Sequence, residues 1–267
     1  MKAEAGGVQS VHRALDVLEI VQRAGGQMSI GDIAAGVGVP PSTAHRLLKT
    51  LVTRGYMRQL PNRRYALGFR LLPLGLTANT LLGADAGPLL SRLVSELGET
   101  ANLAILSGDR AEYVAQVPSA HAMRMFTEVG RKVDLHCTGV GKALLAQLET
   151  DAVCDIIRRT GLEPKTPHTI TTENALLAEL ELISERGYAI DEQEQELGAR
   201  CVAVAVPGRS LSPMALSVSG PLARMTDRLL ERAVPLLVNA ASRFADDRDS
   251  DRPGAGVSSP YVEKSYP

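Results

Sequence analysis

Apolar residues recur at helical spacing in three segments near the start of the chain. In VQSVHRALDVLEIVQRAGG they return every three or four positions until a glycine pair, which predicts an amphipathic helix that ends there. MSIGDIAAGVGV indicates a shorter helix, with Ser29 as its N-cap and Asp32 three residues later. After the turn GVGVPP, the segment STAHRLLKTLVTRG has an apolar face and an opposite polar, cationic face. Three helices are therefore predicted.

A hairpin pattern follows the third predicted helix. YMRQL and YALG alternate around the turn PNRR, which places Arg63 and Arg64 near its tip. Two helices joined by a tight turn and followed by a hairpin predict a winged helix-turn-helix, whose second helix enters the major groove of DNA. There Arg46 can bind guanine through two hydrogen bonds, and other polar side chains reach bases or phosphates. The candidate DNA-binding residues are Ser42, Thr43, His45, Arg46, Lys49, Arg58, Arg63 and Arg64.

The basic residues are concentrated at the N-terminal end. Residues 1–70 contain ten lysines and arginines and four acidic residues, a net charge of +6, whereas the remainder carries −7. This asymmetry favours a polyanion as the partner of the N-terminal part. The alternative is a basic face that is merely solvated. Considered one at a time, Lys49, Arg58 and His45 could equally be surface residues without a role. The grouping of these residues is what favours DNA.

Beyond the hairpin, the pattern divides into a connector, a mixed body and a tail. The leucine-rich FRLLPLGLTANTLL predicts a linker helix that Pro73 kinks or shifts. From Gly83 onward, helical segments interleave with strands such as ANLAILSG, AEYVAQV, HAMRMFTEVG, YAIDEQE, RCVAVAV and SPMALSVSG. An α+β fold around a largely antiparallel sheet is predicted. The expected divisions are a DNA-binding domain (1–68), a linker helix (69–82), a mixed α/β domain (83–245) and a disordered tail (246–267).

Composition argues against several classes of protein. There is no run of 18 uncharged apolar residues and no signal-sequence pattern at the start, so a soluble cytoplasmic protein is expected. Cys137, Cys154 and Cys201 form no C-x-x-C pair and have no spaced histidine partners, which argues against a zinc site or a disulfide framework. Neither a metal nor a cofactor is expected. The lack of tryptophan argues against stacking on single-stranded bases.

The stretch CTGVGKALL, residues 137–145, looks like part of a phosphate-binding loop. A Walker-type loop, G-x-x-x-x-G-K-[ST], needs a glycine five residues before Gly141 and a hydroxyl after the lysine, but the chain has His136 and Ala143 there. Nucleotide hydrolysis is therefore disfavoured. A turn of small residues entering a helix remains, with Thr138 as N-cap and backbone amides that would face an anion.

These motifs together resemble the IclR family of bacterial transcriptional regulators. SVHRALDVL, VPPSTAHRLLKTL and RGYMRQLPNRRYALG match the family's helix-turn-helix and wing, although Pro41 stands where the family often has a polar residue. LHCTGVGKALL, GYAID, GARCVA and ALSVSGP match its effector-binding domain in order, so the resemblance covers about residues 9–245. It implies a GAF-like effector-binding domain, dimers or dimers of dimers, and a small organic or aromatic carboxylate as effector.

The resemblance places the effector among these later motifs. Ser217 and Ser219 share one strand face, and Asp191 is expected to point inward while the acidic row after it stays in water: Glu192, Glu194 and Glu196. The candidate effector-binding residues are Thr138, Gly139, Val140, Asp191, Cys201, Ser217 and Ser219, with Met125 and Val133 as apolar walls. Each residue also has an alternative, structural role. For Thr138 and Gly139 it is only to cap a helix, for Ser217 and Ser219 only to bond to neighbouring backbone, for Asp191 to form an ion pair, and for Met125 to be a core residue. Lys142 is left out of the site.

The predicted function is a ligand-responsive transcriptional regulator that binds a palindromic operator. The effector would shift the placement of two DNA-binding heads, and a repressor is favoured over an activator. One alternative is a constitutive DNA-binding protein with a vestigial pocket. The other is a hydrolase-like enzyme using Asp191, Ser217, Ser219 and Lys142, but there is no G-x-S-x-G motif and His136 has no evident orienting acid. The chain is therefore not expected to be an enzyme.

Overall fold

The computed structural model describes residues 8–125, 127–208 and 213–250. The chain forms two compact units, and the boundary between them falls between Leu81 and Leu82. This boundary lies at the end of the segment predicted to be the linker helix.

The N-terminal unit is a winged helix-turn-helix. Its helices are α1 (Gln9–Arg23), α2 (Ile30–Val37) and α3 (Pro41–Thr53). A three-stranded antiparallel sheet is formed by β1 (Gln27–Met28), β2 (Met57–Gln59) and β3 (Tyr65–Leu67), with β3 in the centre. The three helices and both strands of the wing are confirmed. β1 was not predicted, because two residues are too few to show a period.

The turn chemistry of this unit is as predicted. The Ser29 hydroxyl accepts a hydrogen bond from the Asp32 amide at 3.2 Å and donates to its carboxylate at 2.7 Å, so Ser29 caps α2. Gly38 ends α2 in the left-handed region at φ 66°, where a residue without Cβ is favoured. These two residues fix the turn between α2 and α3.

The connector differs from the prediction. α4 (Leu71–Leu97) is one continuous helix of 27 residues, so the predicted linker helix does not end at Leu82. A single glycine such as Gly83 costs a helix only about 1 kcal/mol relative to alanine, which packing readily offsets. Pro73 lies in the first turn, where no helical hydrogen bond requires its missing amide. Pro73 is therefore compatible with the first turn of α4.

The C-terminal unit is built on a six-stranded antiparallel sheet. In chain order the strands are β4 (Thr100–Ser107), β5 (Arg110–Val117), β6 (Lys132–Val133), β7 (Ala189–Glu192), β8 (Ala199–Ala205) and β9 (Met214–Pro221). Their order across the sheet is β6-β5-β4-β9-β8-β7. The predicted antiparallel α+β domain is confirmed. The strand predicted over residues 121–130 is wrong, since the described residues of this segment form bends and turns that precede β6.

Helices cover both faces of this sheet. One face packs against the second half of α4 and against α8 (Asp227–Ser250), around Leu90, Leu216 and Leu237. The other packs against α5 (Gly139–Leu145), α6 (Thr150–Thr160) and α7 (Glu173–Arg186). Because α8 continues to Ser250, residues 246–250 of the predicted tail are helical. The rest of that tail lies outside the described residues. None of the described helices has the length and apolar character needed to cross a membrane.

Candidate functional site

The polar face of α3 is open to solvent. Ala44, Leu48 and Leu51 are buried on its inner side. The outer side carries four of the predicted DNA-binding residues, all exposed: Ser42, His45, Arg46 and Lys49. Thr43 is half-buried beside them. This arrangement leaves donors and acceptors at the N-terminal half of α3 free to meet a partner.

The wing carries the other three predicted DNA-binding residues, which are also exposed. Arg63 lies at the tip in the left-handed region, at φ 63°. Arg64 donates from Nη2 to the Gln27 carbonyl at 3.1 Å, and the Arg58 guanidinium lies 4.9 Å above the Phe69 ring. Each contact leaves part of a five-donor guanidinium available. The wing therefore holds the guanidinium groups of Arg58 and Arg64 in place while leaving donors on each for a partner.

A second candidate site lies on the large sheet, where one row of opposed residues brings together three predicted effector-binding residues. Asp191 on β7 is opposite Cys201 on β8, which is opposite Ser219 on β9. Directly opposed residues of antiparallel strands project to the same face. The sequence motifs GYAID, GARCVA and ALSVSGP therefore meet on one side of the sheet.

A cleft of about 60 Å³ opens over this row. Seven predicted residues line it: Met125, Val133, Thr138, Gly139, Asp191, Cys201 and Ser219. Sequence reasoning did not identify the other lining residues, Tyr113, Thr127, Arg131, Gln195, Glu196, Ala199 and Arg200. Arg200 pairs with Asp227 at 2.8 Å and with Glu192. The cleft thus combines apolar walls with a few polar groups, as small-molecule sites do.

Two predicted effector-binding residues do not line the cleft. Val140 is fully buried in the core between the sheet and α5, because α5 is only seven residues long and all of them are buried. Ser217 is also fully buried, two residues from Ser219 on the same strand face. Val140 is thus a core residue, and Ser217 is a buried neighbour of the cleft residue Ser219.

Asp191 is held by backbone amides and faces the cleft. Its Oδ1 accepts hydrogen bonds from the Glu194 amide at 2.7 Å and the Gln195 amide at 3.4 Å. Burial raises its pKa to about 7, with a further increase from the Glu194 charge, against the lowering effect of these amides and of Lys142. Among the described residues, no partner is found for Oδ2. A proton-binding carboxyl group is thus presented to the cleft.

Asp191→Asn is expected to stabilise the protein at alkaline pH. The raised pKa means that the folded chain keeps a proton that the unfolded chain loses as pH rises from about 4 to about 7, so wild-type stability falls over that window. Asparagine removes this loss, and the variant should gain about 2–4 kcal/mol over the wild type at pH 8 and little at pH 4. Unfolding curves at several pH values measure this difference. A difference independent of pH would contradict the raised pKa.

Asn102 on β4 is a polar centre that the sequence did not reveal. It is fully buried, and its Nδ2 lies 3.4 Å from both Ser217 Oγ and Ser219 Oγ. Its Oδ1 accepts from Gln116 Nε2 at 3.2 Å and from Thr127 Oγ1 at 3.0 Å. An asparagine amide has two donor hydrogens and two acceptor lone pairs, so these four contacts use its full capacity. Asn102 therefore connects both serines to the wall of the cleft.

Cys201 packs tightly beneath the cleft. Burial raises the pKa of its thiol to about 12, against the lowering effect of the Ser217 hydroxyl and the Gly139 amide. A Cβ at Gly139 would lie 2.9 Å from that sulfur, which explains why glycine is needed there. Cys137 donates to Gln195 Oε1 at 2.9 Å, and all three cysteines are free thiols. Cys201 is thus an uncharged wall of the cleft.

Lys142 is buried and paired with acids. Only 1% of it is exposed, and its Nζ contacts Glu194 Oε1 and lies 3.4 Å from Glu179 Oε1. Glu194 is itself buried, which contradicts the prediction that the acidic row after Asp191 stays in water. β7 ends at Glu192 and Gln193 adopts φ 62°, so strand alternation stops before Glu194. The lysine of CTGVGKALL thus serves an internal ion pair.

Comparison with known proteins identifies the family of the chain. A model of the IclR helix-turn-helix domain matches residues 10–61, and a model of the bacterial transcriptional regulator IclR C-terminal domain matches residues 76–245. The chain belongs to the IclR family. This IclR-family chain is 36% identical over 243 residues to the transcriptional repressor IclR of Escherichia coli K12, covering 88% of each protein. It is 34% identical over 225 residues to the repressor AllR of the same strain, covering 83% of each.

Solved structures agree with this assignment. The IclR of Thermotoga maritima is 27% identical to this IclR-family chain, with a TM-score of 0.61 over 89% of this chain and 98% of that one. An IclR homologue from Microbacterium hydrocarbonoxydans, complexed with 4-hydroxybenzoate, has the same fold at 24% identity, with a TM-score of 0.60 over 91% of this chain and all of the other. The winged helix-turn-helix and the mixed α/β domain are those of a DNA-binding transcriptional regulator.

Proposed function

We propose that this chain is a transcriptional repressor that binds a palindromic operator and whose DNA affinity is set by a small carboxylate. Residues 1–68 form the DNA-binding domain, and residues 83–245 bind the effector. The first part of α4 is the linker helix, through which two copies of the chain pair. The observation that carries the proposal is the exposed polar face of α3 in a chain of the IclR family.

The DNA contacts follow from the positions of the exposed side chains. Arg46, in the second turn of α3, is placed to read a guanine, with Ser42, Thr43 and His45 around it. Lys49, Arg58, Arg63 and Arg64 are placed to neutralise phosphates. Base contacts specify the operator, whereas phosphate contacts supply affinity that depends on salt.

A second copy of the chain is the expected partner along α4. Five large apolar side chains around the start of this helix are more than half exposed: Phe69, Leu72, Leu74, Leu76 and Leu81. A run of exposed leucines on one helix indicates a covered surface. Pairing through it would give two DNA-binding heads and hence two half-sites about one helical turn apart.

The cleft supports an organic acid as the effector. Met125, Val133 and Tyr113 supply apolar walls, Ser219 and Asp191 supply polar groups, and Arg131 adds a positive charge. The related fold that holds 4-hydroxybenzoate suggests an aromatic acid as one candidate. An enzymatic role is disfavoured because no histidine is found among the described lining residues, and His136 instead bonds to the Glu163 carbonyl at 3.0 Å.

The test is a gel-shift assay on the DNA upstream of the protein's own gene, repeated with a panel of small acids that includes acetate, lactate, benzoate and 4-hydroxybenzoate. A retarded band at low salt that weakens when one of these acids is added is the expected result. The absence of any band at low salt would overturn the proposal of a regulator, since phosphate contacts are strongest there. A band that responds to no acid would favour a constitutive regulator with a vestigial pocket.

A further inference from the structure

The hydrogen bonds of Asn102 determine which of its neighbours donate and which accept, and this affects how an effector could be recognised. Asn102 lies opposite Gln116 on β5 and opposite Ser217 on β9, so all three side chains are on one face of the sheet. Gln116 Nε2 and the Thr127 hydroxyl both bond to the Asn102 carbonyl oxygen. With its oxygen occupied by these partners, the amide directs both of its N–H groups toward the two serines.

The two serines have different roles in this network. Each receives an N–H of Asn102 at 3.4 Å. Ser217 is fully buried and does not line the cleft. Ser219 lines the cleft, and no acceptor for its own hydroxyl hydrogen is found in the part of the chain that the structure describes. The Ser219 hydroxyl hydrogen is thus available to an acceptor in the cleft.

We propose that Asn102 is a positioning residue that makes Ser219, and not Ser217, a hydrogen-bond donor to the effector. The group bound beside Ser219 is then an acceptor, such as a carboxylate oxygen, while Asp191 Oδ2 at the other end of the row favours a ligand group that donates. The two ends are separated by two strand spacings, about 10 Å between Cα atoms. A small acid that also carries a hydroxyl fits this polarity. The inference rests on the proposed function of the cleft.

Asn102→Asp tests the direction of the network. The carboxylate accepts four hydrogen bonds and donates none, so Ser217 and Ser219 turn their hydrogens toward it and both serines stay bonded to residue 102. Ser219 then no longer donates to the ligand, and the affinity for an acid should fall about 10-fold to 100-fold. Gln116→Glu is a second variant outside the cleft. Glutamate cannot donate to the Asn102 oxygen, so the amide should reverse and the same loss should follow.

The measurement is isothermal titration calorimetry on the full chain, using whichever of acetate, lactate, benzoate and 4-hydroxybenzoate binds the wild type most tightly. Ser219→Ala should match the loss in Asn102→Asp, and Ser217→Ala is the matched control that should stay within about twofold of the wild type. In the variant with both Asn102→Asp and Ser219→Ala, the loss of binding free energy should be much smaller than the sum of the two single losses. Asn102 acts through Ser219, so removing both costs little more than removing one. Additive losses would indicate charge repulsion from residue 102 instead.

Three results would overturn the inference alone: wild-type affinity in Asn102→Asp, an equal loss in Ser217→Ala and Ser219→Ala, or additive losses. If no acid binds the wild-type chain, the proposed function itself fails, and the inference fails with it. A variant that does not fold leaves the comparison of Ser217→Ala with Ser219→Ala and the result for Gln116→Glu to decide.

Discussion

Lys142→Met is expected to lower the free energy of unfolding of the C-terminal unit by about 3–5 kcal/mol. Lys142 is buried with only 1% exposed, and its ammonium group is shared between Glu194 and Glu179. Methionine fills a similar volume but leaves Glu194 in a dry environment without its cation. Burial already raises the pKa of Glu194, and Lys142 opposes that increase. Native-state hydrogen exchange of the slowest amides in β8 and β9 measures the loss.

Two controls separate the buried charge from other effects. Lys132→Met removes an exposed lysine whose Nζ lies 3.4 Å from Glu112, and such surface pairs contribute only about 0–1 kcal/mol. The double variant Lys142→Met with Glu194→Leu removes both charges and should recover most of the loss, because apolar pairs often replace buried ion pairs without cost. Glu179 keeps Arg186 at 2.8 Å in either case. A loss below about 1 kcal/mol in Lys142→Met would contradict a tightly buried pair.

Local turn chemistry explains why the N-terminal unit could be predicted in detail. The Ser29 cap, the left-handed Gly38 and the Pro-Asn turn of the wing act within a few residues, so each leaves a signal in a short window of sequence. Alternation likewise predicted most of the large sheet. It also placed Asp191, Cys201 and Ser219 on strands, although only the fold puts them opposite one another.

Partners distant in sequence explain what could not be predicted. Asn102 bonds to residues 115 and 117 positions away, and in ANLAILSG it is an isolated polar residue with no visible partner. Lys142 finds its acids 37 and 52 positions later. The described residues between 121 and 130 form bends and turns despite their apolar members, and Met125 and Thr127 among them line the cleft.

Arg46→Ala is expected to weaken binding to the operator about 10-fold to 100-fold, the loss expected for a bidentate arginine–guanine contact of about 1–3 kcal/mol. Arg46 is exposed on the polar face of α3, so its removal should not disturb the buried face formed by Ala44, Leu48 and Leu51. Binding to unrelated DNA should change little, because that binding depends on phosphate contacts. Fluorescence anisotropy with operator and scrambled duplexes at several salt concentrations measures both.

The comparison with Lys49→Ala makes the result specific to base recognition. Lys49 is exposed one turn further along α3, and as a phosphate contact it should weaken operator and scrambled duplexes alike and lower the slope of log affinity against log salt by about one. Arg23→Ala, at the exposed end of α1, should leave both affinities unchanged. If Arg46→Ala instead behaves as Lys49→Ala does, Arg46 contacts phosphate, and the sequence of the operator is read by Ser42, Thr43 and His45 or through the shape of the DNA.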